Sequence, residues 1–170
     1  MTDFAVLPTL FGYQAWANRE FLQKLEGLHP EQHAAERNTA LRLLNHSHVV
    51  GQIFAAHLLG KPHAFASDNT VETPTLSTLR EAVPALDRWY LDYVTTATPD
   101  MLTESLPFVF TDGDKGYMSR LEMLMHVVTH AIYHRGEVGR IMTHLSIPLP
   151  WDTFAVHLHT TQPARRRQAS

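Results

Sequence analysis

The chain has no cysteine. That excludes disulfides, thiolate metal ligands and a cysteine nucleophile, so any metal site must be built from histidine and carboxylate. No apolar run reaches the roughly 20 residues that a membrane span needs, and the N-terminus shows no basic-then-apolar leader pattern. The expectation is a cytoplasmic protein with no membrane partner. Charge is also sparse, with 18% charged residues and a formal net charge of -3. Lys and Arg are scattered apart from Arg165, Arg166 and Arg167. No broad basic face is available for nucleic acid.

Histidine, in contrast, is plentiful, with 12 in 170 residues. Several fall in ordinary loop or surface positions, among them His29, His33 and His63. The excess matters only where spacing and helical phase agree. They agree best at His126, His130 and His134, which stand four apart. On a helix these three form one stripe, and two adjacent imidazoles of such a stripe can close on one divalent ion. The outer pair is about 12 Å apart along the axis, so one ion takes an adjacent pair, and spacing does not say which.

Apolar periodicity predicts four long helices. The first runs from about Asp3 to Leu25, with Phe4, Leu7, Phe11, Ala15, Phe21 and Leu25 in phase and Pro8 in its first turns. The second runs from about Thr39 to Leu59, capped by Asn38 or Thr39 and stopped by Gly60-Lys61-Pro62. A polar loop to Thr75 follows. The third spans about Leu76 to Ala97, with capping-box spacing at Thr78 and Glu81. Pro84 inside it implies a late start or a kink. Residues 105–118 read as a β-hairpin with its turn at Asp112-Gly113. Ser119 and Glu122 form a capping box for the fourth helix, which reaches about Leu145. Asp152 is placed to cap a short last helix through about His159 or to orient a ligand histidine, and capping is the more frequent job. The expected architecture is all-α: an up-down four-helix bundle with a small hairpin before the fourth helix and a short C-terminal helix. Residues 1–162 make one domain, and 163–170 a disordered basic tail.

Bundles build metal sites from side chains on facing helices, so a third ligand is expected on the second helix. His46 and His48 point about 200° apart and cannot both face the core. Periodicity leans to His46, on a seam with Leu43, Val50 and Ile53, and leaves His48 open. His57 lies about 16 Å along the axis from His46, too far to share an ion. His126 and His57 read as core histidines hydrogen-bonded to a neighbour. Glu137, seven residues beyond His130, is a candidate catalytic general base, an acceptor that orients a ligand, or an exposed carboxylate.

These segments resemble the DinB-like (DinB/YfiT-like) metal-binding four-helix bundles. The resemblance covers nearly the whole chain. It is carried by Tyr13-Gln14-Ala15-Trp16-Ala17-Asn18, Leu44-Asn45-His46, Asp87-Arg88-Trp89-Tyr90, the hairpin with Asp112-Gly113, and the run from His126 to Glu137 followed by Asp152. It implies a three-histidine site of His46, His130 and His134, with His126 as a neighbour. Gly51 stands where the family pattern has Asp, His48 replaces an apolar or aromatic residue, and Glu137 replaces a more usual Gln. The implied cofactor is a divalent metal ion, zinc or nickel first and iron or copper as alternatives. Three imidazoles leave a coordination position open, as catalytic zinc-type sites do. Related bundles include bacillithiol S-transferases and a mycothiol-dependent maleylpyruvate isomerase. The resemblance therefore implies a metal-dependent enzyme of thiol-transferase type, serving stress or detoxification. Its partners would be a small-molecule substrate, a low-molecular-weight thiol and a second copy in a homodimer. The alternatives are a metal-dependent hydrolase and a non-catalytic metal-binding or dimerising bundle.

Overall fold

In the computed structural model, which describes residues 6–167, four long helices carry the chain back and forth. Helix α1 (Val6–Lys24) buries Leu7, Phe11, Ala17 and Phe21 and ends in a 3-10 turn at Leu25–Gly27. The expected helical start at Asp3 and Phe4 lies outside the described residues. Helix α2 (Ala34–Leu58) begins well before the expected Asn38 or Thr39. The Thr39 hydroxyl instead donates back to the Ala35 carbonyl inside the helix (3.0 Å), a bond that competes with capping. The Arg37 guanidinium, in the extra turn, donates to the carbonyls of Leu25 and Leu28 and ties this turn to the end of α1.

Helix α3 (Leu76–Thr96) is capped by Thr75, whose hydroxyl accepts from the Thr78 amide, rather than by Thr78. The helix runs through Pro84 without a break and forgoes the one backbone bond that Pro84 has no N–H to make. A short helix α4 (Pro99–Thr103) follows, with Thr98 as its cap and Pro99 in its first turn. Strands β1 (Ser105–Val109) and β2 (Lys115–Ser119) pair antiparallel, with Phe108 opposite Gly116. Their turn places Gly113 at φ 94°, where glycine has no Cβ penalty. Ser119 and Glu122 form the expected capping box at the start of α5 (Arg120–His144). The last helix, α6 (Phe154–Thr161), is capped by Thr153 and not by Asp152. Pro163–Arg167, expected to be disordered, form a short 3-10 segment in which Arg165 bonds back to Gln162.

The fold is mostly α, as expected. Helix α2 packs chiefly on α5, and α1 on α3. Two apolar clusters fill the bundle. One surrounds Phe11, Phe54, Tyr90, Met123 and Leu124, and the other Leu25, Leu28, Leu41, Leu79 and Met142. The hairpin closes over the first cluster through Phe108. Among the described residues no helix is long and apolar enough to cross a membrane.

Candidate metal centre

The α2–α5 seam brings His46 against His130 and His134. On α5 the neighbouring Val127, Val128, Ala131 and Val138 are buried, so the apolar face fixes which way the histidines look. On α2 the neighbour Asn45 is buried and anchors the loop between α2 and α3. Its amide donates to Asn69 Oδ1 (2.6 Å) and Thr70 Oγ1 (2.7 Å), while the Asn69 amide donates to the Arg42 carbonyl (3.1 Å). That docking carries the backbone of Asp68 to His46.

The imidazoles converge through Nε2. His46 Nε2 lies 3.1 Å, and His134 Nε2 3.2 Å, from His130 Nε2. One ligand atom from each histidine fits within 4.8 Å of the others, and the group has these three members among the described residues. Tetrahedral metal–nitrogen bonds of about 2.0–2.1 Å hold their nitrogens roughly 3.3 Å apart, so the spacing suits one ion.

Hydrogen bonding on the far side of two rings sets their tautomers. His46 Nδ1 faces the Asp68 carbonyl oxygen at 2.8 Å, which can only accept, so this nitrogen carries the proton. His134 Nδ1 donates likewise to Glu137 Oε2 at 2.6 Å. With the rings neutral, both Nε2 atoms present lone pairs to the same point as His130 Nε2. His130 can donate to only one of them, so a cation satisfies the set better than any internal hydrogen bonding. Burial, and then the neighbouring His134, His46 and His126, pushes the His130 pKa down to about 3. Its lone pair is therefore free at neutral pH. The donor set fits a divalent ion, and these three residues could hold one.

The structure separates the other candidates. His48 is buried on another face of α2, in a polar cluster with Gln14, Ser47, Asp87 and Arg135 inside the bundle. Desolvation lowers its pKa to about 4, and Nε2 lies 2.5 Å from the Gln52 amide nitrogen. His126 stacks on His130 and packs against Phe54, with ring centroids 5.3 and 4.6 Å apart. His57 lies against Phe54, Phe108 and His63. Among the described residues the contacts of His126 and His57 are thus ring contacts, and neither makes the expected hydrogen bond to a neighbour. Burial lowers the pKa of each.

Glu137 sits behind His134, at Nδ1, on the side away from the converging nitrogens. Asp152 neither caps a helix nor touches a ligand histidine. Its oxygens accept from the Tyr13 hydroxyl (2.5 Å) and Arg135 Nε (2.8 Å), while Arg135 also donates to Asn18 Oδ1 (3.1 Å). Arg135 is almost wholly buried beside His134. Sequence reasoning missed the parts played by Asp68, Asn45 and Arg135. A backbone carbonyl such as that of Asp68 leaves no trace in residue type, whereas Arg135, on the buried side of α5, required a partner from the outset.

A pocket of about 320 Å³ opens beside His46 and His130, between α2, α5 and the hairpin. A larger groove of about 510 Å³ runs by Trp151 and Leu149 and contains none of the three histidines.

Compared with known families, residues 1–166 match the model described as "DinB family". Comparison with curated proteins and with solved structures returns no match.

Proposed function

The chain belongs to the DinB family, and on that footing we propose that it is a metal-dependent enzyme of the thiol S-transferase type. The observation that carries this reading is the convergence of three imidazole nitrogens with a pocket beside them and no fourth protein ligand among the described residues. A site with three protein ligands keeps room for a reacting group. All-imidazole ligation suits zinc or nickel, with copper and iron as alternatives.

His46, His130 and His134 would hold a divalent ion, which when bound would supply a Lewis acid that favours the thiolate over the thiol at neutral pH. The protein's own residues hold the geometry. The Asp68 carbonyl and Glu137 fix the rings of His46 and His134, making Glu137 a positioning residue. The pocket presents the second substrate beside His46 and His130. In the transfer the thiol sulfur forms a bond to an electrophilic carbon, the leaving group departs with its electron pair, and the thiol proton passes to solvent.

The test is turnover of an electrophile by tag-free protein of measured metal content, with and without a low-molecular-weight thiol. The expected result is thiol-dependent turnover that is lost in His130→Ala. Ester cleavage that needs metal but no thiol would replace this reading with a metal-dependent hydrolase. A loaded centre inert toward both substrates would make the chain a non-catalytic metal-binding bundle. A homodimer belongs to the same reading, and sedimentation of the loaded protein tests it.

A further inference from the structure

The pocket beside the triad has an unusual balance of side chains. Val50, Ile53 and Phe54 of α2, Phe108 and Phe110 of the hairpin and His126 of α5 form its walls. The rings meet at tilted or edge-on angles. Phe108 lies 4.8 Å from Phe110 and 5.8 Å from Phe54 between centroids, and Phe54 lies 4.6 Å from His126. No lysine or arginine lines the pocket, and its two formally charged residues, Asp68 and Asp112, are both acidic. His57, at the end beyond Phe54, is itself desolvated and faces another histidine, His63. A carboxylate or phosphate entering here would lose its hydration, meet two like charges and find no fixed cation in the walls apart from an ion held by the triad. A flat uncharged ring would instead find walls that match it in shape and polarity.

We infer that the walls of this pocket bind the uncharged, aromatic part of a substrate and, of themselves, discriminate against anionic ones. The inference rests on the metal-enzyme reading for its functional meaning, since it assigns the second substrate of that site. The binding preference itself is a property of the walls and can be measured without metal or turnover.

The experiment uses the full chain, first treated with chelator and then loaded with zinc. Naphthalene-2-carboxamide and 2-naphthoate, which share a ring system and differ in charge, are titrated by calorimetry and by NMR shifts of the pocket residues. Chelated protein isolates the walls, because a metal ion would attract the carboxylate directly. The carboxamide should bind at least about tenfold tighter than the naphthoate, with shifts confined to Phe54, Phe108, Phe110 and the facing histidines. Phe110 is half exposed, so Phe110→Lys should fold normally and place a cation at the rim. It should narrow or reverse the preference. Equal or tighter naphthoate binding by the chelated wild type would overturn the inference. So would failure of both probes to bind, or a preference that Phe110→Lys leaves unchanged. A chain with the expected preference that neither holds metal nor turns over substrate would sink the enzyme reading and leave the binding preference standing.

Discussion

Tyr13 and Asp152 are 139 residues apart in sequence, yet the Tyr13 hydroxyl donates a 2.5 Å hydrogen bond to the Asp152 carboxylate. The same carboxylate accepts from Arg135 on α5, so one acidic group fastens the segment before α6 to two helices of the bundle. Desolvation, and then the hydrogen bond to Asp152, raises the Tyr13 pKa to about 12. The hydroxyl therefore remains a donor throughout the ordinary pH range.

Asp152→Asn should cost up to about 3–5 kcal/mol of stability, because it removes the carboxylate paired with the buried Arg135 charge and leaves Asn18 and the nearby Asp87 to compensate it. Tyr13→Phe removes one neutral donor and should cost only about 1 kcal/mol. Urea denaturation of both variants checks the ranking, and equal losses would show that Arg135 does not depend on Asp152.

Removing Glu137 should weaken metal binding without unfolding the chain. Glu137→Ala deletes the acceptor behind His134 and is expected to lower metal affinity about 10–100-fold, the usual effect of losing such a partner. Glu137→Gln keeps an acceptor oxygen and should restore most of that affinity. Competition against a chromophoric chelator measures both. A Gln variant as weak as the Ala variant would argue that the negative charge, not the orientation of the ring, supports the site.

Asp87 gives the stability a pH dependence of unusual sign. Burial dominates and raises its pKa from 3.8 to about 6, against opposing hydrogen bonds from Asn18 and Gln14 and the nearby Arg135. Between these values the folded state holds more protons than the unfolded one, so this residue's contribution is full below about pH 4 and is lost as pH rises through about 6. The shift corresponds to about 3 kcal/mol. Asp87→Asn should therefore gain stability relative to wild type as pH rises from 4 to 7, up to about that amount. A difference between the two proteins that stays flat over this range would contradict the assignment.

Metal removal should destabilise the fold as well as the site. The ligands come from helices 84 residues apart in sequence, at His46 and His130, so an ion bound there binds only the folded seam. At 100 times its dissociation constant a ligand adds about 2.7 kcal/mol. Thermal melts with zinc and with chelator should differ accordingly in wild type and coincide in His130→Ala.

Gly116→Ala should damage the hairpin wall and spare the metal. A Cβ at 116 would clash with the Phe108 ring, which lies across it. Phe108 must then move, at an expected cost of about 1–3 kcal/mol. Unchanged zinc affinity together with altered shifts of Phe54 and His57 on probe binding is the expected pattern.

How much of this was readable in the residues depended on what carried the information. His130 and His134 announce themselves by helical period, and the Ser119–Glu122 box marks the start of their helix. The same period includes His126, yet one turn away the facing residue on α2 is Phe54 and not a histidine, so the stripe divides. His46 and His48 could not be ranked firmly because α2 is buried on more than one side, against α5 and against the interior polar cluster. Asp152 looked like a helix cap because caps are its commoner use, but the adjacent Thr153 takes that role and frees it for Arg135. The short helix at Pro99–Thr103 carried its own marker in Thr98-Pro99, a cap followed by proline in the first turn. The early start of α2 carried none, since the His33 side chain makes no capping bond.

The two supports behind the ligand rings differ in how they can be inherited. Glu137 is a side chain, and a single codon change can remove it. The Asp68 support is a main-chain carbonyl, which survives replacement of that residue by any other. What must be preserved there is the path of the loop, held through Asn45, Asn69 and Thr70. As far as the support of the His46 ring is concerned, position 68 is thus free to drift in type, and only its carboxylate at the pocket ties it to aspartate. Insertions or deletions between α2 and α3 should be the changes that selection rejects.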